Sequence, residues 1–372
     1  MSAHVDRVAA TFITGLEGAA KRSRIAADDP ALALGRRFGV GGYVARRRLP
    51  GSQYRDEQLV RKLHERLMLD AAGAASAALA DGGVPHFFAR GAALCGMLYR
   101  PGDRELVDLD LFVSPAHAGR AQDLLTGMGY VALPSSEQCG PASLRSSVNL
   151  ERQGGRSAFE AIAIDLHWGL EPVNRLLPRP GTTIPTSVWD GLVSAGNLPA
   201  PSPAQHAALL AHHLAHHDLL HVRGMLDLAL LRADGWTGDG SAYEACAREL
   251  GVLRAARALH RVLVEQFGFE PIEGVRPPPA TVRARRLNGA LQLERWFAWA
   301  GVAEDDEHTR ITPRRIGRRM LLLDHVSDAR FLAADALFPP REHLRWRWPE
   351  HGSSAAAWRR HVRQLAGKLF AR

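Results

Sequence analysis

The stretch Phe87 to Val113, FFARGAALCGMLYRPGDRELVDLDLFV, constrains the fold more than any other part of this chain. It orders a glycine turn, a short helix and then an apolar strand that carries two acids, Asp108 and Asp110. Side chains on an extended strand alternate faces, so residues two apart point the same way at a spacing of roughly 7 Å. Asp108 and Asp110 therefore converge on one side of a strand otherwise made of Leu106, Val107, Leu109, Leu111, Phe112 and Val113. Carboxylates in such surroundings need compensation for lost hydration, and a divalent cation supplies it. A solvated strand end or a turn anchor is the plainer reading of the same pair.

A second apolar segment, Phe159 to Trp168 (FEAIAIDLHW), reads as another strand with Asp165 near its end. Mg²⁺ takes oxygen ligands and shares its shell with substrate phosphates, so two or three Asp and a nucleotide complete a cage. Two such ions clamp an in-line phosphoryl displacement. Capping, or pairing with an arginine, is the alternative role for Asp165.

In order, RGAALCGMLYRPGDRELVDLDLFV, GMGY, IDLHWGL and HAALLAHHLAHHDLLHVRGMLDLALL resemble blocks of the bacterial uncharacterised nucleotidyltransferase family, nucleotidyltransferase family 5, within the superfamily of DNA polymerase beta. The closing FPPREHLRWRW resembles that family's tail. The resemblance implies an α+β fold: a nucleotidyltransferase-like core of a small mixed sheet with helices, followed by a mainly helical C-terminal domain. It implies metal ligation by Asp108, Asp110 and Asp165, with Asp165 also a candidate base for an acceptor hydroxyl. It implies nucleotide contacts from Arg90, Gly91 and Ala92, because the helix opened by Gly91 would turn free backbone N–H groups toward a triphosphate. Two positions depart from the pattern. Ala92 stands where Ser is common, and Arg90 stands where Lys is usual, replacing a point charge with a planar fork. Arg100 and Arg104 precede the acidic strand, where either could neutralise Asp108 or reach phosphate; Arg104 is the favoured triphosphate contact.

The expected activity is transfer of a nucleoside monophosphate, AMP from ATP, to a hydroxyl on a small molecule or peptide, with release of pyrophosphate and dependence on Mg²⁺ or Mn²⁺. The alternative is a catalytically inactive module of the same fold that binds nucleotide or protein. A kinase is disfavoured, since neither a GxxxxGK[ST] loop nor an HRD-like segment is present.

Organisation follows from periodicity. Residues 1–83 read as an N-terminal helical region, 84–170 as the catalytic core and 171–372 as the helical C-terminal domain. Leu59, Leu63, Leu67, Ala71 and Ala74 form an apolar stripe on a helix leading into the core. Helices are expected over Ser202 to Ala233, Ser241 to Phe267, Pro279 to Ala300 and Pro313 to Leu337. On the first, His206, His213, His217 and His221 share a side with Leu209, Leu210 and Leu220. His213 and His217 have the spacing of a zinc pair, but HLAHH lacks the HExxH glutamate, leaving core packing or the lining of an acceptor pocket beside the metal reading. Arg223 and Asp227 read as a helix ion pair.

A net charge of +8 and a pI near 10.0 suit an anionic ligand. The arginines are scattered, so nucleic acid is not favoured, and Trp346, Trp348 and Trp358 read as packing residues. Cys95, Cys139 and Cys246 form neither a disulfide framework nor a zinc ribbon. No apolar run has membrane-spanning length and the first residues lack a signal-peptide pattern, so a cytoplasmic protein without membrane partners is expected.

Overall fold

The computed structural model describes residues 3–22, 27–133, 146–152, 161–174, 182–217, 219, 221–234, 236, 238–277, 286, 313–351 and 353–370. The expected helix Pro279 to Ala300 lies outside the described residues but for position 286, as do Cys139, Leu220 and the Trp346 side chain.

Four helices come first: α1 (Ala3–Arg22), α2 (Pro30–Arg37), α3 (Gly41–Arg48) and the long α4 (Gly51–Asp81). The sheet region follows with β1 (His86–Phe88), α5 (Gly91–Met97), β2 (Leu109–Val113), α6 (Ala118–Gly127), β3 (Val131–Ala132), β4 (Ser147–Arg152) and β5 (Ile162–His167). A short α7 (Thr186–Asp190) and the hairpin β6 (Val193–Ala195) and β7 (Leu198–Ala200) lead into α8 (Pro203–His216), α9 (Val222–Asp234), α10 (Gly240–Glu249) and α11 (Leu253–Phe267). Beyond these, α12 (Pro313–Leu322), α13 (Ala329–Leu337), α14 (Arg341–Arg347) and α15 (Ser354–Phe370) complete the helical part. Among the described residues no helix is long and apolar enough to cross a membrane.

The five strands form a mixed sheet in the order β1-β2-β5-β4-β3. Strand β2 runs parallel to β5 and antiparallel to β1, while β4 pairs antiparallel with both β5 and β3. Strand alternation divides the side chains between two apolar clusters. Phe88, Leu109, Leu111, Val113, Ile164 and Leu166 point into a cluster with Met68, Ala72 and Leu79 of α4. Phe87 and Phe112 point the other way, into a larger cluster that joins Val8, Phe12 and Leu16 of α1 to residues of α8, α9 and α11. Asp110, two residues before Phe112, therefore lies on the sheet face turned toward the helical bundle.

Helix α4 departs from the expected stripe. Leu59 and Leu63 are 71% and 61% exposed, Leu67 and Ala74 are also exposed, and of the five only Ala71 is buried. The inward face instead carries Gln58, Glu65, Met68, Ala72, Ala75 and Leu79. Its polar members hold the loop at Gly102, where Glu65 accepts the Gly102 N–H at 2.6 Å and the Gln58 amide donates to the Gly102 carbonyl at 3.2 Å. Gly102 has φ +85, and a Cβ there would meet the Gln58 Oε1 at 2.2 Å, so glycine is required in this loop.

The segment expected as one helix from Ser202 to Ala233 is two, α8 and α9, broken where Leu219 takes φ +62. The next expected helix also divides, at Gly251 with φ +70, into α10 and α11. Trp348 is buried with Leu344 and Ala357 in a small cluster of its own, and the Trp358 indole donates to the Leu337 carbonyl, as packing roles require.

Candidate active site

The parallel register of β2 and β5 sets Asp110 directly beside Asp165 and Phe112 beside His167. Three rings then lie side by side across β1, β2 and β5: Phe87 stacks on Phe112 at 5.0 Å, and Phe112 on His167 at 4.6 Å with planes 12° apart. This stack fixes the imidazole plane and turns its Nε2 toward the acids. His167 Nε2 lies 2.9 Å from Asp165 Oδ2 and 3.5 Å from Asp110 Oδ1. Asp110, Asp165 and His167 each offer a ligand atom within 4.8 Å of the others, a grouping that could hold a metal ion. Asp165 Oδ1 is buried with no hydrogen-bond partner among the described residues, a lone pair that a cation would satisfy.

Asp108 lies one residue before β2 and is half-buried. Burial, reinforced by the negative charge of Asp110, pushes its carboxyl up to about 6. The Asp165 charge acts in the same direction, but Asp108 is not a member of the grouping that Asp110, Asp165 and His167 form. Burial would also raise Asp165, but the neighbouring His167 outweighs it and holds this carboxyl below its usual range. For His167 burial works downward and Asp165 prevails, raising the imidazole to about 9. Both shifts run in the direction that favours charge pairing between Asp165 and His167.

Arg90 is the fourth member. Its Nη2 donates to Asp110 Oδ1 in a short contact and lies 3.0 Å from His167 Nε2. Its Nη1 lies 2.5 Å from Nδ1 of His213, and its backbone N–H donates to Nε2 of His206 at 2.9 Å. The arginine therefore bridges the sheet to α8. Burial, aided by the Arg90 charge, lowers His213 well below its ordinary value and leaves it a neutral acceptor. Its ring meets those of His217 at 4.4 Å and His221 at 4.6 Å, so these histidines edge the acidic site despite the break between α8 and α9.

The other expected nucleotide contacts lie elsewhere. Ala92 is fully buried in the sheet-side cluster, where a hydroxyl would be placed among apolar groups at a desolvation cost. Gly91 is buried too, and a Cβ on it would meet Arg104 Nη1 at 2.7 Å. Arg104 is turned away from solvent and bound to Asp227 through Nε at 2.9 Å and Nη2 at 2.8 Å, while the Tyr99 hydroxyl donates to Asp227 at 2.6 Å. Asp227 thus takes Arg104 rather than the expected Arg223, whose Nη1 donates to the Glu105 carbonyl. Of the four residues, only Arg90 reaches the acids.

His167 is the member that the sequence pattern alone did not single out. The available signal is Asp-x-His, the same two-residue spacing as Asp108 and Asp110, in the strand IAIDLH.

A family model described as uncharacterised nucleotidyltransferase matches residues 52–268, from the start of α4 to the end of α11. The match includes the acids, Arg90, His167 and the histidines of α8. No curated protein matches the chain.

Proposed function

The chain belongs to the uncharacterised nucleotidyltransferase family, and on that premise we propose that it transfers a nucleoside monophosphate, AMP from ATP, to a hydroxyl on a small molecule or peptide in the cytoplasm. The observation that carries the reading is the convergence of Asp110, Asp165 and His167, with one orphaned carboxylate oxygen, on the sheet face turned to the helical bundle. Asp110 and Asp165, with Asp108 beside them, are the proposed holders of Mg²⁺ or Mn²⁺. When bound, the cation offsets negative charge on the attacking and leaving oxygens.

In the reaction the acceptor oxygen forms a bond to the α-phosphorus and the bond to the β-phosphate oxygen breaks. Pyrophosphate leaves, and the acceptor proton passes to a base or to solvent. Asp165 suits ligation better than proton uptake, since His167 holds it ionised. Arg90, in reach of Asp110, can follow its charge preference onto a phosphate once a cation takes that carboxylate. His213 and His217 edge the same region and are the proposed lining on the acceptor side.

One observation favours the inactive-module reading: the Arg90 guanidinium sits on Asp110, satisfying a proposed ligand internally. Calorimetry with a non-hydrolysable ATP analogue separates the two. Nucleotide binding that requires Mg²⁺ or Mn²⁺ and is lost in Asp110→Asn is the expected result. Equal affinity in EDTA, or in that variant, would contradict the proposal.

A further inference from the structure

Arg90 joins the two halves of the site, and its backbone is the unusual part. It takes φ +53 and ψ −124, a strained region that residues other than glycine seldom enter. Such a conformation persists only where the surroundings over-determine it. Two local bonds help: Ala89 N–H donates to the Asp110 carbonyl, and the Arg90 carbonyl accepts from Leu94. The third comes from 116 residues away, where His206 Nε2 accepts the Arg90 N–H.

His206 lies in the first turn of α8 and is wholly buried. An imidazole nitrogen that accepts from an N–H carries no proton, so the proton sits on Nδ1. That Nδ1 is buried with no hydrogen-bond partner among the described residues. Burial pushes the ring down to about 4, which keeps it a neutral acceptor at working pH. A half-satisfied imidazole is a costly occupant of an apolar position. The bond to Arg90 is the hydrogen bond that offsets this cost.

We propose that His206 is a positioning residue of the acidic site: by accepting the Arg90 peptide N–H it fixes the strained backbone from which the guanidinium reaches Asp110, and so sets how readily a divalent cation gains that carboxylate. The inference rests on the cation site of the proposed function. His206 touches neither cation nor substrate in this assignment and acts through Arg90 alone.

Free Mn²⁺, read by electron paramagnetic resonance, gives the affinity of the full chain for the cation without turnover. Arg90→Ala removes the competing charge and should tighten Mn²⁺ by about tenfold. His206→Leu should shift affinity in the same direction and add nothing in the Arg90→Ala background. His206→Gln, which restores an acceptor oxygen, should return the affinity toward wild type. Wild-type affinity in His206→Leu, with Arg90→Ala responding, would overturn the positioning role alone. No Mn²⁺ binding in wild type or any variant would overturn the cation reading together with this one. A second measurement needs no variant: ¹⁵N spectra of the histidine-labelled protein should give His206 as the Nδ1–H tautomer, scalar-coupled to the Arg90 amide and unchanged across roughly pH 5–8. An Nε2–H tautomer, or titration in that window, would also overturn the proposal.

Discussion

Replacing Asp227 with Ala should be among the most damaging single changes outside the acidic site. The carboxylate accepts two hydrogen bonds from Arg104 and one from Tyr99, and all three side chains are buried. Its removal strands a guanidinium and a phenol in the seam between α5, the loop after it and α9. Losing one partner of a buried pair costs about 3–5 kcal/mol, because the remaining charge is uncompensated. For a chain of 372 residues that corresponds to a fall in melting temperature of about 4–6 °C. The pH dependence has a definite sign. Burial pushes the Asp227 carboxyl up, but Arg104 and then the Tyr99 hydroxyl outweigh it, so it stays below its usual value. The contribution is therefore complete above the ordinary carboxyl value of about 3.9 and lost as pH falls through the depressed one. Thermal melts of wild type and Asp227→Ala should differ by a constant gap near neutrality that closes in acid. The triple change Tyr99→Phe, Arg104→Met and Asp227→Leu should recover most of the loss, since apolar replacement of a whole buried polar group is often neutral. A cost below about 1 kcal/mol, the range of exposed pairs, would refute the assignment of Arg104 to this seam.

Two further outcomes concern the acidic site and its histidine edge. Asp165→Asn should weaken cation binding and turnover in proportion, because His167 keeps this carboxylate ionised; a loss of turnover far exceeding the loss of binding, in parallel calorimetry and rate measurements, would restore it as the base. His217→Ala should raise the acceptor KM while leaving Mn²⁺ affinity unchanged, and stoichiometric zinc that vanishes in this variant would replace the pocket role with a metal site.

The parts of the molecule legible in the sequence are those governed by short-range periodicity. Strands β2 and β5 follow from their apolar runs, but the pairing of Asp110 with Asp165 comes from the register between them, which alternation along either strand does not give. His167 shows the same alternation, but a reading built on carboxylates alone passes over an imidazole. Helix α4 misleads because an apolar stripe at Leu59, Leu63 and Leu67 has the spacing of a buried face. The polar demands of the Gly102 loop instead turn Gln58 and Glu65 inward. Contacts between residues far apart in sequence leave no signature at all. Arg104 and Asp227 are 123 residues apart, and Arg90 meets its two α8 histidines across 116 and 123. Neither the seam nor the histidine clasp can be derived from local pattern.

In the proposed reaction the α-phosphoryl group, with its nucleoside, is what moves. Parallel incubations with α-labelled and γ-labelled ATP, Mg²⁺ and a small-molecule and peptide extract as acceptor source test this most directly. Label from the α position should enter an acceptor product while γ label appears only in pyrophosphate, and both should depend on Asp110. Acceptor labelled from the γ position alone would make the protein a kinase and contradict nucleotidyl transfer.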